Sequence, residues 1–126
     1  MLRQGPLSSR LHGLLEYLIG GFFIASPFIF SFESGAAVTI GIVGGIAFIL
    51  LASTADTGPS LSGMVPVRVH VFLDVVVAAF FIASPFLFGF SDEPAPTGLF
   101  IGTGVLHLLS TIGTRFLPPR PDSAVG

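Results

Sequence analysis

The chain has 126 residues, enough for one domain, and 52% of them are hydrophobic while only 10% are charged. Average soluble proteins carry roughly 25% charged residues, so this composition argues against an ordinary soluble domain. Five basic residues against seven acids give a net charge of −2, which excludes a nucleic-acid-binding protein because no basic patch exists. The absence of cysteine excludes disulfides, thiolate metal sites and cysteine nucleophiles.

Charged residues divide the chain into four long apolar segments. A helix that crosses the bilayer needs about 20 apolar residues, within a range of about 17–25. Glu16 interrupts the first segment, which is therefore predicted to be a retained span rather than a cleaved signal peptide. We predict four transmembrane helices at about residues 11–32, 36–55, 68–90 and 97–116.

The arginines all fall on one side of this four-span topology. They precede the first span, separate the second from the third, or follow the fourth: Arg3, Arg10, Arg68, Arg115 and Arg120. The two loops on the other side contain only acids, namely Glu33, Asp92 and Glu93. Because positively charged loops stay in the cytoplasm, both termini are predicted to be cytoplasmic.

The chain contains a tandem repeat with an offset of 58 residues. Seven consecutive residues, 22–28, are identical to residues 80–86, whereas the later halves match less clearly, near residues 40–41 and 101–102. The same offset pairs the polar residues that begin the first and third segments, His12 with His70 and Glu16 with Asp74.

Each repeat is predicted to form a two-helix hairpin that starts from the cytoplasmic side. The predicted fold is therefore an all-α membrane protein of four transmembrane helices, built as two tandem hairpins with pseudo-two-fold symmetry along the membrane normal. Residues 1–126 form a single membrane domain, with repeat 1 at 10–56, repeat 2 at 68–116 and a flexible tail at 117–126.

A short motif in each repeat resembles a known family. Residues 25–32 and 83–90 both read Ala-Ser-Pro-aromatic-x-Phe-x-Phe, which resembles the SPW-repeat membrane proteins of bacteria and archaea. Phe28 and Phe86 stand where the family motif has tryptophan. The resemblance covers about residues 10–116. It implies a small integral protein of a prokaryotic cytoplasmic membrane and implies no particular activity.

Two His–acid pairs are the main candidate site. The members of each pair, His12 with Glu16 and His70 with Asp74, are four residues apart and share a helix face. Charge inside a membrane is costly, so these groups should face the protein interior. Three interpretations follow: a hydrogen-bonded polar clamp between the repeats, a haem or divalent-metal site at His12 and His70, and a proton or ion relay. We favour the clamp and predict no cofactor.

Two further features are secondary candidates. Ser26-Pro27 and Ser84-Pro85 predict helix kinks, because proline lacks an N–H and clashes with the carbonyl four residues earlier. His107 lies within the fourth segment and has no counterpart in the second. It is predicted to pair across a helix interface, and a polar pocket lining is the alternative.

The sequence favours a non-enzymatic function. It contains no nucleophile–base–acid set, and its glycines lie in apolar spans rather than in a phosphate-binding fingerprint. We predict a structural or interaction module or an accessory subunit, with the lipid bilayer, further copies of the chain or other membrane proteins as partners. The alternatives are an oligomeric transporter or channel for protons, ions or a small solute, and a haem- or metal-binding redox subunit.

Overall fold

A computed structural model describes residues 2–55 and 62–118. Residue 56 of the first predicted repeat, Arg120 and the predicted tail from residue 119 onward lie outside the described residues. Four helices of 19–21 residues are each long and apolar enough to cross a membrane, so the chain is an all-α membrane protein, as predicted. The elements are β1 (Leu7–Ser8), α1 (Ser9–Ile29), α2 (Gly35–Thr54), α3 (Val67–Leu87), α4 (Pro94–Ile112) and β2 (Thr114–Arg115).

The helices pack as two hairpins, α1 along α2 and α3 along α4. Glycines allow the backbones to approach closely within each hairpin. A Cβ atom on Gly20 would lie 2.7 Å from the Gly45 carbonyl oxygen, and one on Gly104 would lie 2.8 Å from the Ala78 carbonyl oxygen. Gly20 and Gly45 therefore contribute to packing inside the first hairpin, and Gly104 does so inside the second.

The two hairpins correspond element by element. Helices α1 and α3 both have 21 residues and begin 58 residues apart, whereas α2 and α4 begin 59 residues apart because the second hairpin loop is one residue longer. The offset of 59 pairs Gly45 with Gly104 and Phe48 with His107. The sequence match near residues 40–41 and 101–102 was therefore out of register by two residues.

Helix α1 ends at Ile29, three residues before the predicted end. The Phe32 N–H donates to the Pro27 carbonyl (3.0 Å), which is the long bond of a Schellman turn. Ser31 lies between them with a φ of 50°, in the left-handed region. This turn reverses the chain one helical turn after the proline, so Pro27 precedes the helix end instead of dividing the helix.

Helix α3 ends in the same way at Leu87, again three residues before the predicted end. The Phe90 N–H donates to the Pro85 carbonyl (2.9 Å), and Gly89 has a φ of 74°. Glycine adopts this conformation without the steric cost that Ser31 bears.

Helix α4 begins at Pro94 and ends at Ile112, earlier at both ends than predicted. Proline is tolerated in the first helical turn because an N–H there has no partner within the helix. After Ile112 the chain is extended rather than helical, and β2 pairs in parallel with β1. The Leu7 N–H donates to the Gly113 carbonyl (3.0 Å), so this short pairing ties the N-terminal segment to the end of α4.

Buried phenylalanines from every helix and both hairpin loops fill the interior towards the end of the bundle that carries the hairpin loops. Phe23 of α1 meets Phe81 of α3 edge to face, with ring centroids 4.9 Å apart, which joins the two repeats across the bundle. The rings of this cluster are those of Phe23, Phe32, Phe48, Phe81, Phe90 and Phe100.

Candidate functional site

Five buried polar side chains converge at the end of the bundle that carries the N-terminus, and we call them the His–carboxylate centre. Helix α1 contributes His12 and Glu16, and α3 contributes His70 and Asp74, in each case from the first turns of the helix. Helix α4 contributes His107 from one and a half turns before its end. Each of the five is at most 1% exposed. The two predicted pairs and the secondary candidate therefore belong to one site.

Nitrogen and oxygen atoms alternate around the middle of this centre. The His12 Nε2 atom lies 3.1 Å from Asp74 Oδ2 and 3.5 Å from Glu16 Oε1. The His70 Nε2 atom lies 3.4 Å from each of the same two oxygens. Each imidazole nitrogen thus faces one carboxylate of its own repeat and one of the other repeat.

His107 approaches the same carboxylates from α4. Its Nε2 atom lies 3.5 Å from Asp74 Oδ1 and 4.0 Å from Glu16 Oε1. The Phe48 ring packs edge to face against His107, with centroids 4.8 Å apart. Because Phe48 occupies the equivalent position of the first repeat, the third histidine breaks the pseudo-two-fold symmetry.

Three residues that contact the centre, Thr111, Thr114 and Phe116, were not among the predicted site residues. Thr114 Oγ1 lies 3.1 Å from His12 Nδ1, and Thr111 Oγ1 lies 3.5 Å from Asp74 Oδ2. The Phe116 ring covers His12 with centroids 4.9 Å apart. Thr111 was detectable in the sequence, since it lies four residues after His107 and shares its helix face.

Several polar atoms of the centre have only long contacts and make no hydrogen bond of normal geometry. Among the described residues, buried side-chain atoms that lack a hydrogen-bond partner are concentrated here: both Glu16 oxygens, Asp74 Oδ1, His70 Nδ1 and both His107 nitrogens. Buried polar atoms are normally paired, because an unpaired one costs about 1–3 kcal/mol. Nitrogen and carboxylate donors at these separations could hold a metal ion, and the donor atoms of His12, Glu16, His70 and Asp74 lie within 4.8 Å of one another.

The Ser-Pro pairs lie far from this centre, in the last turns of α1 and α3. The Ser26 hydroxyl donates to the Phe23 carbonyl (2.9 Å), which Pro27 leaves without its usual partner. In α3 the Ser84 hydroxyl donates instead to the Phe80 carbonyl (2.6 Å), one residue before the carbonyl that the following proline frees. The hydroxyls therefore serve local backbone groups.

A second contact joins the hairpins at the opposite end. The Glu93 carboxylate accepts the N–H groups of Glu33 and Ser34 at 3.0 and 3.1 Å. Backbone N–H groups at a helix start carry partial positive charge, so a carboxylate is favourable beside α2. The two repeats are thus linked by polar contacts at both ends of the bundle.

Comparison with known proteins identifies the family. A family model described as the SPW repeat domain matches residues 10–114. No curated protein and no solved structure matches the chain. The matched region contains all five residues of the His–carboxylate centre and both Ser-Pro motifs, in agreement with the resemblance found in the sequence. The chain belongs to the SPW repeat family of proteins.

Proposed function

We propose that the chain is a non-enzymatic membrane module that fixes two helical hairpins face to face and acts as a structural or interaction subunit. The observation that carries this proposal is the linkage of the repeats at three depths of the bundle. His12 contacts Asp74 at one end, Phe23 packs against Phe81 in the middle, and Glu93 holds the start of α2 at the other end.

The aromatic core favours this role over a channel. Ring contacts run without interruption from His107 through Phe48, Phe81 and Phe100 to Phe90, with successive centroids 4.8–5.3 Å apart. This column fills the interior between the His–carboxylate centre and the far end of the described bundle. A solute crossing the bundle would have to displace it, and close-packed interiors resist such displacement.

We further propose that the module lies in a prokaryotic cytoplasmic membrane with both termini in the cytoplasm. The charge distribution supports this orientation. Arg10 and Arg68 begin α1 and α3 and Arg115 follows α4, whereas Glu33 and Asp92 lie in the loops at the other end.

Apolar side chains cover the outer surface of the bundle and suit lipid or other membrane-embedded proteins as partners. The most exposed of them on α1, α3 and α4 are Leu18, Phe28, Ile29, Phe72, Phe86, Leu87 and Leu109.

A flux assay tests the module against the transporter alternative. The full chain is reconstituted into liposomes, and the movement of protons, Na⁺, K⁺, Mn²⁺ and Zn²⁺ is followed with entrapped dyes. We expect rates equal to those of protein-free liposomes. Protein-dependent flux of any of these ions that Glu16→Gln abolishes, while Glu33→Gln leaves it intact, would overturn the module and establish a transporter.

A further inference from the structure

We propose that the His–carboxylate centre binds one divalent first-row transition-metal ion. This inference goes beyond the structural role proposed above, because a module could link its hairpins without any ion. The geometry points to a metal through four observations. They are the nitrogen of His12 that carries the proton, the separations of the donor atoms, the charge of the centre, and the types of donor that it contains.

The hydrogen bonds around His12 determine which of its nitrogens carries a lone pair. The Thr114 hydroxyl donates its only proton to the Ser110 carbonyl, so Thr114 Oγ1 accepts from His12 Nδ1–H at 3.1 Å. In its neutral form the His12 imidazole has a single N–H, on Nδ1, so Nε2 is then available as a metal ligand. This nitrogen lies 3.1 Å from Asp74 Oδ2 and 3.5 Å from Glu16 Oε1, where a proton on Nε2 makes a hydrogen bond and a metal ion would take the place of that proton.

The separations of the donor atoms match those of ligands around one ion. Ligands bonded at about 2.1 Å lie about 3.0–3.4 Å apart when the angles between the bonds are about 90–109°. The nitrogen–oxygen separations that involve His12 and His70 range from 3.1 to 3.5 Å. The four donor atoms lie within 4.8 Å of one another, against about 4.2 Å for opposite ligands with 2.1 Å bonds, so the side chains would close by a few tenths of an ångström on binding. His107 Nε2, at 3.5 Å from Asp74 Oδ1, is placed as a fifth donor.

Charge balance is compatible with a divalent ion. Glu16 and Asp74 bring two negative charges into a site where each residue is at most 1% exposed, and either two protonated imidazoles or one divalent ion would balance them. Buried charges are costly unless they are paired or coordinate a metal. An ion with two positive charges neutralises the centre and also gives partners to the unpaired Glu16 oxygens and to His107 Nε2.

The donor types narrow the choice of ion. Imidazole and carboxylate suit Mn²⁺, Fe²⁺, Co²⁺ and Zn²⁺, whereas copper(I) prefers the thiolate ligands that a chain without cysteine cannot supply. The His12 and His70 rings are edge to face with centroids 5.9 Å apart, and both carboxylates reach between them. This spacing suits a single ion and leaves no room for a porphyrin between the two imidazoles.

Metal loading of the purified full-length protein tests the proposal. The protein is stripped with chelator in detergent, incubated separately with Mn²⁺, Fe²⁺ (without oxygen), Co²⁺ and Zn²⁺, desalted, and analysed by elemental mass spectrometry. We expect one ion per chain for at least one of the four metals. With Co²⁺ we also expect visible absorption bands of a nitrogen- and oxygen-ligated ion. If none of the four metals binds at one ion per chain, the proposal is overturned, and the centre is held together by protons shared between its histidines and carboxylates.

Two variants localise the ion. Glu16→Gln and His107→Ala each remove one donor, and loss of a donor should weaken affinity at least as much as loss of its supporting hydrogen bond, which costs about 10- to 100-fold. Glu33→Gln, which neutralises an exposed acid in the hairpin loop at the opposite end, should bind as the wild type does. Unchanged affinity in a folded Glu16→Gln variant would place the ion elsewhere. Neither result alters the flux expected of the module, so the two proposals fail separately.

Discussion

Asp74 has a nitrogen atom of each of the three imidazoles within 3.5 Å, closer on average than Glu16 does. His12, His70 and His107 place nitrogen atoms 3.1–3.5 Å from its oxygens, and Thr111 adds a hydroxyl at 3.5 Å. Both repeats therefore depend on this one carboxylate, and its chemistry has consequences for stability as well as for binding.

We expect Asp74→Asn to destabilise the bundle by about 3–5 kcal/mol, the cost of removing one partner from a buried ionic group. The amide has nearly the same shape but replaces one acceptor oxygen with a donor. Unfolding of the metal-free protein by SDS in mixed micelles measures the change. Asp92→Asn, in an exposed loop, is the control and should alter stability by less than about 0.5 kcal/mol. Equal stability of the two variants would contradict a linking role for the centre.

Thr114 positions His12 rather than touching the ion itself. We expect Thr114→Val to weaken Co²⁺ affinity by about 10- to 100-fold, because His12 Nδ1–H loses the acceptor that fixes its tautomer and ring orientation. A Co²⁺ titration followed by absorbance measures this effect. Thr103→Val on α4, outside the centre, is the matched control, and a Thr114→Ser variant that keeps the hydroxyl should recover most of the affinity. An affinity in Thr114→Val equal to that of the control would exclude the positioning role.

At the residue scale, four members of the centre could be predicted from the sequence, because helical spacing or the repeat relates them to one another. His12 and Glu16 share a face because they are four residues apart, and the 58-residue offset supplied their partners on α3. His107 could be recognised as a candidate but not joined to the centre, and Thr114 was not among the predicted site residues. Their positions depend on the length of the second hairpin loop and on how closely α4 packs against α3, which no local pattern contains.

At the element scale, the two Schellman turns differ in one residue. Ser31 has a φ of 50° where the second repeat has Gly89 with a φ of 74°. A left-handed conformation costs a non-glycine residue about 1–2 kcal/mol, so the first turn is the less favourable of the two.

We expect Ser31→Gly to stabilise the protein by up to about 1 kcal/mol and Gly89→Ser to destabilise it by a similar amount. Thermal unfolding in detergent measures both variants. Ser91→Gly, two residues beyond the second turn, controls for the general effect of adding a glycine to a loop. A Ser31→Gly variant that is no more stable than this control would show that the strain at Ser31 is relieved locally.

The spans themselves were predictable, whereas several of their ends were not. Long apolar runs bounded by charges determine where α1 to α4 lie. Each end depends on backbone contacts that composition does not show, such as the bond from Phe32 to Pro27 and the pairing of Leu7 with Thr114. The second pairing joins residues more than 100 positions apart, so only the packed bundle reveals it.

At the scale of the whole molecule, the opposite charges of the two bundle ends predict its orientation. The absence of native cysteine allows single-cysteine labelling without background. We expect a membrane-impermeant maleimide to label Asp92→Cys in intact cells, and to label Ser62→Cys only after the cells are permeabilised. Both residues are exposed, which makes them a matched pair. The reverse pattern would place the termini outside the cytoplasm.

The division of the His–carboxylate centre between two repeats bears on how such a protein arises by gene duplication. Each hairpin contributes one histidine and one acid to the pseudo-symmetric part of the centre. An ancestral single hairpin would therefore form all four of these side chains into one site only as a homodimer. In that homodimer both subunits come from one gene, so a substitution would change both copies of the hairpin at once. Fusion into one chain removes this constraint, and position 48 holds phenylalanine while its equivalent, position 107, holds histidine. The fused chain thereby gains a third imidazole on one side of the axis, an asymmetry that two identical subunits could not encode.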